Sequence, residues 1–168
     1  MKLNRLGKLG LSSPTRAFVQ RHVVAPLLER LGGRVEGGRV LELGCGRGVG
    51  GEIILDRFRA AQLEAIDIDP DMVERARARL GRRPGTRVSV GDATRIDARD
   101  ESFDAVFDFG AIHQMPDWPT AVAEVSRILK PGALYLMTAL SSGLVGHLVG
   151  VAERTDAGAP PRPPATPG

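Results

Sequence analysis

Short apolar, strand-like runs alternate with helix-like segments along most of this 168-residue chain. Strand patterns occupy residues 39–43, 63–67, 86–92, 102–110 and 133–140, and helical patterns occupy residues 49–60, 70–81 and 118–130. This alternation favours a parallel sheet with helices on both faces, because parallel strands need a crossover connection. Right-handed crossovers bring the carboxyl ends of the strands to one edge, where ligands bind. We therefore expect an α/β fold with a doubly wound, mostly parallel sheet.

Helix-start and helix-stop residues mark a further helical segment before the first strand. Ser13 is a suitable cap and Pro14 a suitable first helical residue. Pro26 should kink or split this helix, and the glycine at Gly32 should end it. We expect residues 1–38 to form an N-terminal helical lid segment.

The remainder divides by composition into two parts. Residues 39–152 form the expected α/β domain, and residues 153–168, rich in Pro, Ala and Gly, are expected to be a disordered tail. An uncharged stretch at 131–152 is long enough for a span of about 20 residues. It contains Pro, Gly and Ser and begins as a strand pattern, so we expect no stable membrane insertion.

The charge of the chain does not indicate a nucleic-acid partner. The formal net charge is +3, and the densest basic run, residues 74–83, is expected to be a solvated helix face. It contains no aromatic residue, whereas single-strand binders use stacking rings. Cys45 is the only cysteine in the sequence, which excludes an internal disulfide or a cysteine-based zinc site and suits a cytoplasmic location. We expect no metal site.

Residues 40–53, VLELGCGRGVGGEI, contain two overlapping glycine fingerprints. Gly44, Gly46 and Gly48 give G-x-G-x-G, typical of S-adenosylmethionine sites, whereas Gly46, Gly48 and Gly51 give G-x-G-x-x-G, typical of dinucleotide sites. A dinucleotide loop begins directly after its strand, and the residue in that position is Gly44. The register therefore favours S-adenosylmethionine over NAD.

One carboxylate lies just before the glycines, and two more end the strands that follow. Glu42 lies inside an otherwise apolar strand, where a buried carboxylate needs a partner, and it would repel the pyrophosphate of NAD. It could instead satisfy loop N–H groups or support a cationic ligand. Asp67 ends the second strand, where either cofactor class places its ribose. Asp92 ends the third, either as a simple Gly-Asp turn or as an acceptor for an adenine amino group.

Five segments in order, VLELGCGRG, AIDIDPDMVERAR, VGDA, SFDAVFDFGAIHQMPDW and RILKPGALYLM, resemble the class I S-adenosylmethionine-dependent methyltransferases. The similarity covers residues 39–137 and is strongest to the small-molecule subgroup that includes ubiquinone- and menaquinone-biosynthesis enzymes. It implies a Rossmann-like sheet and S-adenosylmethionine as cofactor. The residues that the resemblance assigns to the cofactor are Glu42, Gly44, Cys45, Gly46, Gly48, Asp67, Ile68, Met72, Asp92, Ala93, Asp108 and Phe109.

Within this assignment, the glycine loop passes under the methionine part, Asp67 holds the ribose and Asp92 with Ala93 recognises adenine. The reaction is an in-line methyl transfer to a small-molecule acceptor. His113 is the candidate general base, although a structural role is equally open. The motifs of nucleic-acid and arginine methyltransferases are missing after the fourth strand.

The C-terminus departs from the family, which follows its fifth strand with a helix and an antiparallel two-strand hairpin. Only 28 residues follow Leu140, so we expect this hairpin to be lacking and the fifth strand to be an exposed edge. Such an edge predicts homo-oligomers, unless residues 141–152 fold over it. A truncated, inactive cofactor-binding or interaction module is the alternative function.

Overall fold

A six-stranded sheet forms the centre of this computed structural model, which describes residues 14–32, 35–140 and 148–154. The strands are β1 (Arg39–Leu43), β2 (Gln62–Asp67), β3 (Thr86–Val90), β4 (Phe103–Asp108), β5 (Leu129–Leu140) and β6 (Leu148–Arg154). Their spatial order is β3-β2-β1-β4-β5-β6. The first five are parallel and β6 pairs antiparallel with β5. The doubly wound, mostly parallel fold expected from the sequence is confirmed.

The helices lie between the strands where the sequence pattern predicts them. They are α1 (Pro14–Val19), α2 (Ala25–Gly32), α3 (Val49–Asp56), α4 (Pro70–Leu80) and α5 (Trp118–Ile128), with a short 3-10 turn at Ile112–Gln114. A π-helical turn, Gln20–Val24, joins α1 to α2. At the starts of α4 and α5, the side chains of Asp69 and Asp117 accept hydrogen bonds from the backbone N–H groups of Asp71 and Thr120, as N-caps do.

The π-helical turn is the structural result of Pro26. Proline has no N–H with which to continue the helical ladder, so the chain needs an irregularity just before it. The structure supplies it by letting the N–H of Ala25 donate to the carbonyl of Gln20, five residues earlier. The segment is therefore split, as the sequence predicts, without losing its overall helical course.

Two apolar clusters fill the space on the two faces of the sheet. On one face, α2, α3 and α4 contribute buried residues such as Leu28 and Ile54 against Phe107 of β4. On the other, Ile128 of α5 packs with Leu41 of β1 and Val106 of β4. Alternate residues of β1 and β4 face the two clusters, which is why both strands are apolar nearly throughout.

Strand β5 begins earlier than the sequence pattern indicates. The helix before it ends at Ile128, and Leu129 already pairs with Phe103, after which the register shifts so that Ala105 pairs with Leu134. The residues predicted to terminate the helix, Lys130 to Gly132, form this irregularity within the strand, and Gly132 has a positive φ of 75°.

The expectation that β5 is an uncovered edge is wrong. Residues of β6 pair with β5 from Leu134 opposite Arg154 to Leu140 opposite Leu148. A single antiparallel strand thus occupies the place where the family has two, and α2 packs against both β5 and β6. Because β5 is paired, an exposed β5 edge no longer supports the prediction of homo-oligomers. The predicted start of the disordered tail, at residue 153, falls inside β6.

The uncharged stretch at 131–152 does not form a spanning helix in the part that the structure describes. Its first ten residues belong to β5. Within residues 14–32, 35–140 and 148–154, no helix is long and apolar enough to cross a bilayer.

Two truncations test the role of β6. A chain ending at Leu140 exposes the β5 ladder, so we expect a melting temperature lower by on the order of 5 °C or more and growth of light scattering with concentration. A chain ending at Arg154 keeps β6 and should melt and scatter like the full chain. Equal behaviour of the two truncations would contradict a stabilising role for β6.

Candidate functional site

The site lies where the strand order reverses, between β1 and β4. These strands are neighbours in the sheet although two other strands intervene in sequence. In an open α/β sheet, ligands bind outside the carboxyl ends of strands at such a switch point. There the structure brings together the loop after β1, residues 44–48, with Asp67 at the end of β2 and Asp108 at the end of β4.

The glycine loop requires glycine for two separate reasons. Gly44, Gly46 and Gly48 have φ values of 62°, 52° and 82°, a region that side-chain-bearing residues rarely adopt. At Gly44 a Cβ atom would also lie 2.3 Å from the Cβ of Ala111, in the turn after β4. The loop therefore lies directly against that turn, and all three glycines of the first fingerprint are needed for its course.

The loop is fixed to the end of β2 by hydrogen bonds from two of its backbone N–H groups. The N–H of Cys45 donates to the carbonyl of Ile66 at 2.9 Å, and the N–H of Gly46 donates to Asp67 Oδ2 at 2.8 Å. The thiol of Cys45 is buried, and burial together with the charges of Glu42 and Asp67 raises its pKa above the usual range. This thiol is a packing group rather than a nucleophile.

The second glycine fingerprint is explained by packing inside the protein. A Cβ on Gly50 would lie 2.0 Å from Glu42 Oε1, and one on Gly51 would lie 2.5 Å from Leu80 Cδ1. Both glycines lie in α3, where glycine weakens a helix, so the close approach to Glu42 and α4 is the reason for their presence. Gly51 thus faces the protein interior, and because the third glycine of a dinucleotide fingerprint also serves close packing, this position does not separate the two cofactor classes.

Glu42 is the most unusual residue of the site. Its side chain is 2% exposed, on the central strand β1, with Ala65 and Phe107 as its strand neighbours. Burial is the main cause that raises its pKa well above the usual range, followed by the charges of Asp67 and Asp108, while the N–H of Gly51 donates to it and opposes the shift. Among the described residues, none donates a hydrogen bond to Oε2.

A buried carboxyl oxygen without a donor is costly, which makes Glu42 informative about the ligand. The negative charges of Asp67 and Asp108 act on the carboxyl of Glu42 at this edge. A cationic ligand would relieve this accumulation of negative charge, whereas a pyrophosphate would add to it. S-adenosylmethionine, with its ammonium and sulfonium groups, fits the residues present.

Asp67 fixes backbone N–H groups near the glycine loop, and it also lies at the end of β2, where the sequence predicts that the ribose binds. Its two carboxylate oxygens accept hydrogen bonds from the N–H groups of Gly46, at 2.8 Å, and Asp69, at 2.9 Å. Each carboxylate oxygen has two acceptor sites, so these bonds leave capacity for ribose hydroxyls. Next to it, Ile68 is 62% exposed, a large apolar side chain in the position predicted to pack near adenine, and Met72 is half-buried.

Asp92 forms a local turn, which is the alternative to adenine recognition that the sequence leaves open. Its Oδ1 atom accepts hydrogen bonds from the N–H and the hydroxyl of Thr94, both at 2.8 Å. The residue is exposed at the end of β3, and the following Ala93 is buried. Its role in adenine recognition stays a prediction.

Asp108 and Phe109 serve the fold more directly than the sequence predicts. The carboxylate of Asp108 is fully buried and accepts hydrogen bonds from the N–H groups of Ala111 and Ile112, which fixes the turn against Gly44. The ring of Phe109 lies in the apolar core, 5.9 Å from that of Phe107. Only the backbone of Phe109 is thus available to the strand edge.

Arg16 is a site residue that the sequence analysis missed. From helix α1 it donates a hydrogen bond through Nη2 to the carbonyl of Phe109 at 2.9 Å, joining residues 93 positions apart. Burial lowers its pKa, and the charge of Asp108 opposes that shift. Nothing in the surrounding TRAFV segment marks this arginine; only the fold brings it to the strand edge.

His113 occupies the 3-10 turn Ile112–Gln114, directly after the residues that Asp108 fixes. Its side chain lies outside the part of the structure that is described. The assignment of His113 as a general base therefore stays a prediction.

Comparison with known proteins agrees with this geometry. Residues 40–132 match the family described as a methyltransferase domain, and the chain belongs to that family. It is 40% identical over 126 residues to the malonyl-[acyl-carrier protein] O-methyltransferase of Halorhodospira halophila, covering 73% of this chain and 42% of that protein. It is 36% identical over 104 residues to the fatty-acid O-methyltransferase of Mycolicibacterium smegmatis, covering 62% and 38%.

A solved structure of a SAM dependent methyltransferase from Aquifex aeolicus superimposes with a TM-score of 0.70 at 22% identity, covering 95% of this chain and 80% of that one, and shows the same fold. The chain spans less than half the length of the two curated relatives. The family match confirms the cofactor class expected from the glycine register, S-adenosylmethionine rather than NAD.

The buried carboxyl of Glu42 predicts a specific pH dependence of stability. Because its pKa in the folded protein is raised, the folded state keeps a proton that the unfolded state loses once the pH exceeds about 4.3. Stability should therefore fall as the pH rises from that value towards the raised pKa. Thermal melts of the ligand-free protein should show a shallower decline for Glu42→Gln than for wild type.

Glu74→Gln, on the exposed face of α4, is the matched control and should follow the wild-type curve. Parallel pH curves for wild type and Glu42→Gln would mean that Glu42 ionises normally in the folded protein.

Proposed function

We propose that this chain transfers a methyl group from S-adenosylmethionine to an oxygen atom of a small-molecule acceptor. The observation that carries the proposal is the buried Glu42 carboxyl, with its unpartnered Oε2 against the start of α3 and two further carboxylates nearby. Such an arrangement complements a cationic ligand at the switch point of the sheet. When bound, the cofactor supplies an electrophilic methyl group on a sulfonium.

The residues of the chain would mainly bind and orient the reactants. Asp67 and Ile68 would hold the adenosine side, the backbone of Gly44 to Gly48 would pass beneath the amino-acid side, and Glu42 would support the positive charge. Alignment of two reactants and exclusion of water can supply several kcal/mol of rate enhancement, so a general base is not obligatory. His113 is the residue that we propose for that role if the acceptor needs one.

For the acceptor, we propose a carboxylate-bearing acyl compound. Two of the relatives are an O-methyltransferase for malonyl-[acyl-carrier protein] and one for fatty acids. The oxygens of a fatty acid are those of its carboxylate, and a carboxylate is nucleophilic without a base near neutral pH. The ubiquinone- and menaquinone-like subgroup stays a prediction, so quinols belong among the acceptors tested.

We also propose that the basic run of α4 does not bind nucleic acid. Several arginines on the α4–β3 side engage carboxylates of the same surface: Arg79 bonds to Glu52 at 3.0 Å, and Arg83 pairs with Asp56. These pairs support the interpretation of the basic run as a solvated face.

Ligand binding tests the proposed function directly. We expect S-adenosylmethionine and its demethylated product to raise the melting temperature and to give a binding isotherm in calorimetry, and NAD to do neither. Loaded protein should then methylate a fatty acid or quinol in a panel that also contains amines and phenols. Binding of NAD alone would refute the proposal, and cofactor binding without transfer to any acceptor would favour an inactive binding module.

Replacement of Asp67 tests the adenosine side. Asp67→Ala should weaken S-adenosylmethionine binding about 10- to 100-fold, because a charged hydrogen bond contributes about 1.5–3 kcal/mol. The fold should persist, since the residue lies at a strand end. Asp97→Ala, at an exposed position beyond β3, is the control and should bind normally. Unchanged affinity in calorimetry of Asp67→Ala would remove this residue from the site.

A further inference from the structure

The carboxyl of Glu42 is enclosed by groups that do not neutralise a negative charge. It lies on the central strand β1, where its side chain is buried. Its two oxygens lie against the first turn of α3, since a Cβ on Gly50 would be 2.0 Å from Oε1 and one on Gly51 would be 3.2 Å from Oε2. The N–H of Gly51 donates to the carboxyl, and none of the described residues donates to Oε2. One neutral donor compensates a buried carboxylate only in part.

The ionisable groups around Glu42 oppose its ionisation further. Asp67 and Asp108, at the ends of the two strands that flank β1, both act on it with negative charge. The thiol of Cys45, in the loop after β1, is held uncharged because burial raises its pKa. No basic side chain in the described part of the chain is among the groups that act on Glu42. The protonated carboxyl, which is neutral, is therefore the form of lower free energy in the protein alone.

Binding of S-adenosylmethionine would reverse this balance. Its ammonium and sulfonium groups bring positive charge to the strand edge at which the charges of Asp67 and Asp108 act on Glu42. A nearby opposite charge favours the ionised form of a carboxyl group, and its effect is strong where water is excluded. The same buried group thus favours a proton without the cofactor and a negative charge with it.

We propose that Glu42 is protonated in the ligand-free protein and releases its proton when the cationic cofactor binds. The O–H bond of the carboxyl breaks, the proton passes to the solvent, and the carboxylate that remains balances the positive charge of the cofactor. This inference rests on the proposed function for the identity of the cation. Its consequence is that cofactor affinity rises with pH, because mass action favours a proton-releasing step when protons are scarce.

The first experiment counts the protons released on binding. Calorimetric titrations with S-adenosylmethionine are run in several buffers of different ionisation enthalpy, and the dependence of the observed heat on the buffer gives the count. At about pH 6.5 the amine of the cofactor is charged, since an α-amino group has a usual pKa of about 7.7–8.0. Wild type should release on the order of one proton more per bound cofactor than Glu42→Gln, whose amide cannot ionise. Glu74→Gln, on the exposed face of α4, should match wild type.

The second experiment measures affinity against pH and does not depend on the folding of Glu42→Gln. Wild type should bind S-adenosylmethionine up to about 10-fold more tightly for each unit of increase between about pH 5.5 and 6.5. A histidine also titrates in this range. His113→Gln should therefore keep the pH slope of wild type, whereas Glu42→Gln should lose it. Infrared difference spectra should show that wild type loses a carboxylic-acid C=O band on binding and that Glu42→Gln does not.

A comparison of two ligands identifies the cation that causes the release. S-adenosylhomocysteine keeps the ammonium group but has a thioether in place of the sulfonium. Proton release with both ligands assigns the effect to the ammonium, and release with S-adenosylmethionine alone assigns it to the sulfonium. In the second case Glu42 regains a proton as methyl transfer removes the positive charge, so that the product binds less tightly.

An excess of released protons in wild type over Glu42→Gln supports the proposal. Equal proton counts for the two proteins, or a wild-type affinity that is constant over this pH range, would mean that Glu42 keeps one protonation state throughout, and the proposal is overturned. Failure of the wild type to bind S-adenosylmethionine at any pH would instead refute the proposed function.

Discussion

The structure of the site depends on one buried carboxyl group. Glu42 occupies the central strand of the sheet, and the protein makes room for it with two consecutive glycines in α3, since a methyl group on Gly50 would lie 2.0 Å from Glu42 Oε1. Those glycines weaken the helix, and the carboxyl carries a desolvation cost that raises its pKa. Both effects lower the stability of the ligand-free protein, and binding of a cationic ligand can offset them. The cost of burying Glu42 and the affinity of the site for a cation thus have one physical source.

The other carboxylates of the site show how structural and ligand roles coincide. Asp67 accepts bonds from Gly46 and Asp69, and Asp108 accepts bonds from Ala111 and Ile112. Each thereby fixes a backbone segment that borders the ligand. Preorganisation of this kind lowers the cost of ordering loops on binding. A carboxylate at such a strand end therefore contributes to ligand binding by fixing a loop, as well as through any direct contact with the ligand.

Much of the fold follows from local sequence patterns, because strand–helix alternation, capping residues and Pro26 act over a few residues. The bounds of β1 and α4, and the split at the π-helical turn, agree with those patterns. What local patterns cannot specify is long-range pairing. The strand partner of β5 lies in a weakly patterned segment, and the bulge at Lys130 to Gly132 is set by pairing with β4. Arg16 escaped prediction for the same reason, since its partner lies 93 residues away. The consecutive glycines Gly50 and Gly51 are the sequence feature from which the close packing of α3 against its neighbours could have been predicted.

Charge, rather than the shape of the glycine loop, separates the two cofactor classes here. Both classes of cofactor site need a backbone that turns tightly after β1, which is why the two glycine fingerprints overlap. The positive φ angles of Gly44, Gly46 and Gly48 would suit either. On the central strand, however, Glu42 lies within the electrostatic reach of Asp67 and Asp108. A pyrophosphate would bring further negative charge towards Glu42, whose pKa is already raised, whereas an ammonium and a sulfonium would stabilise its charged form.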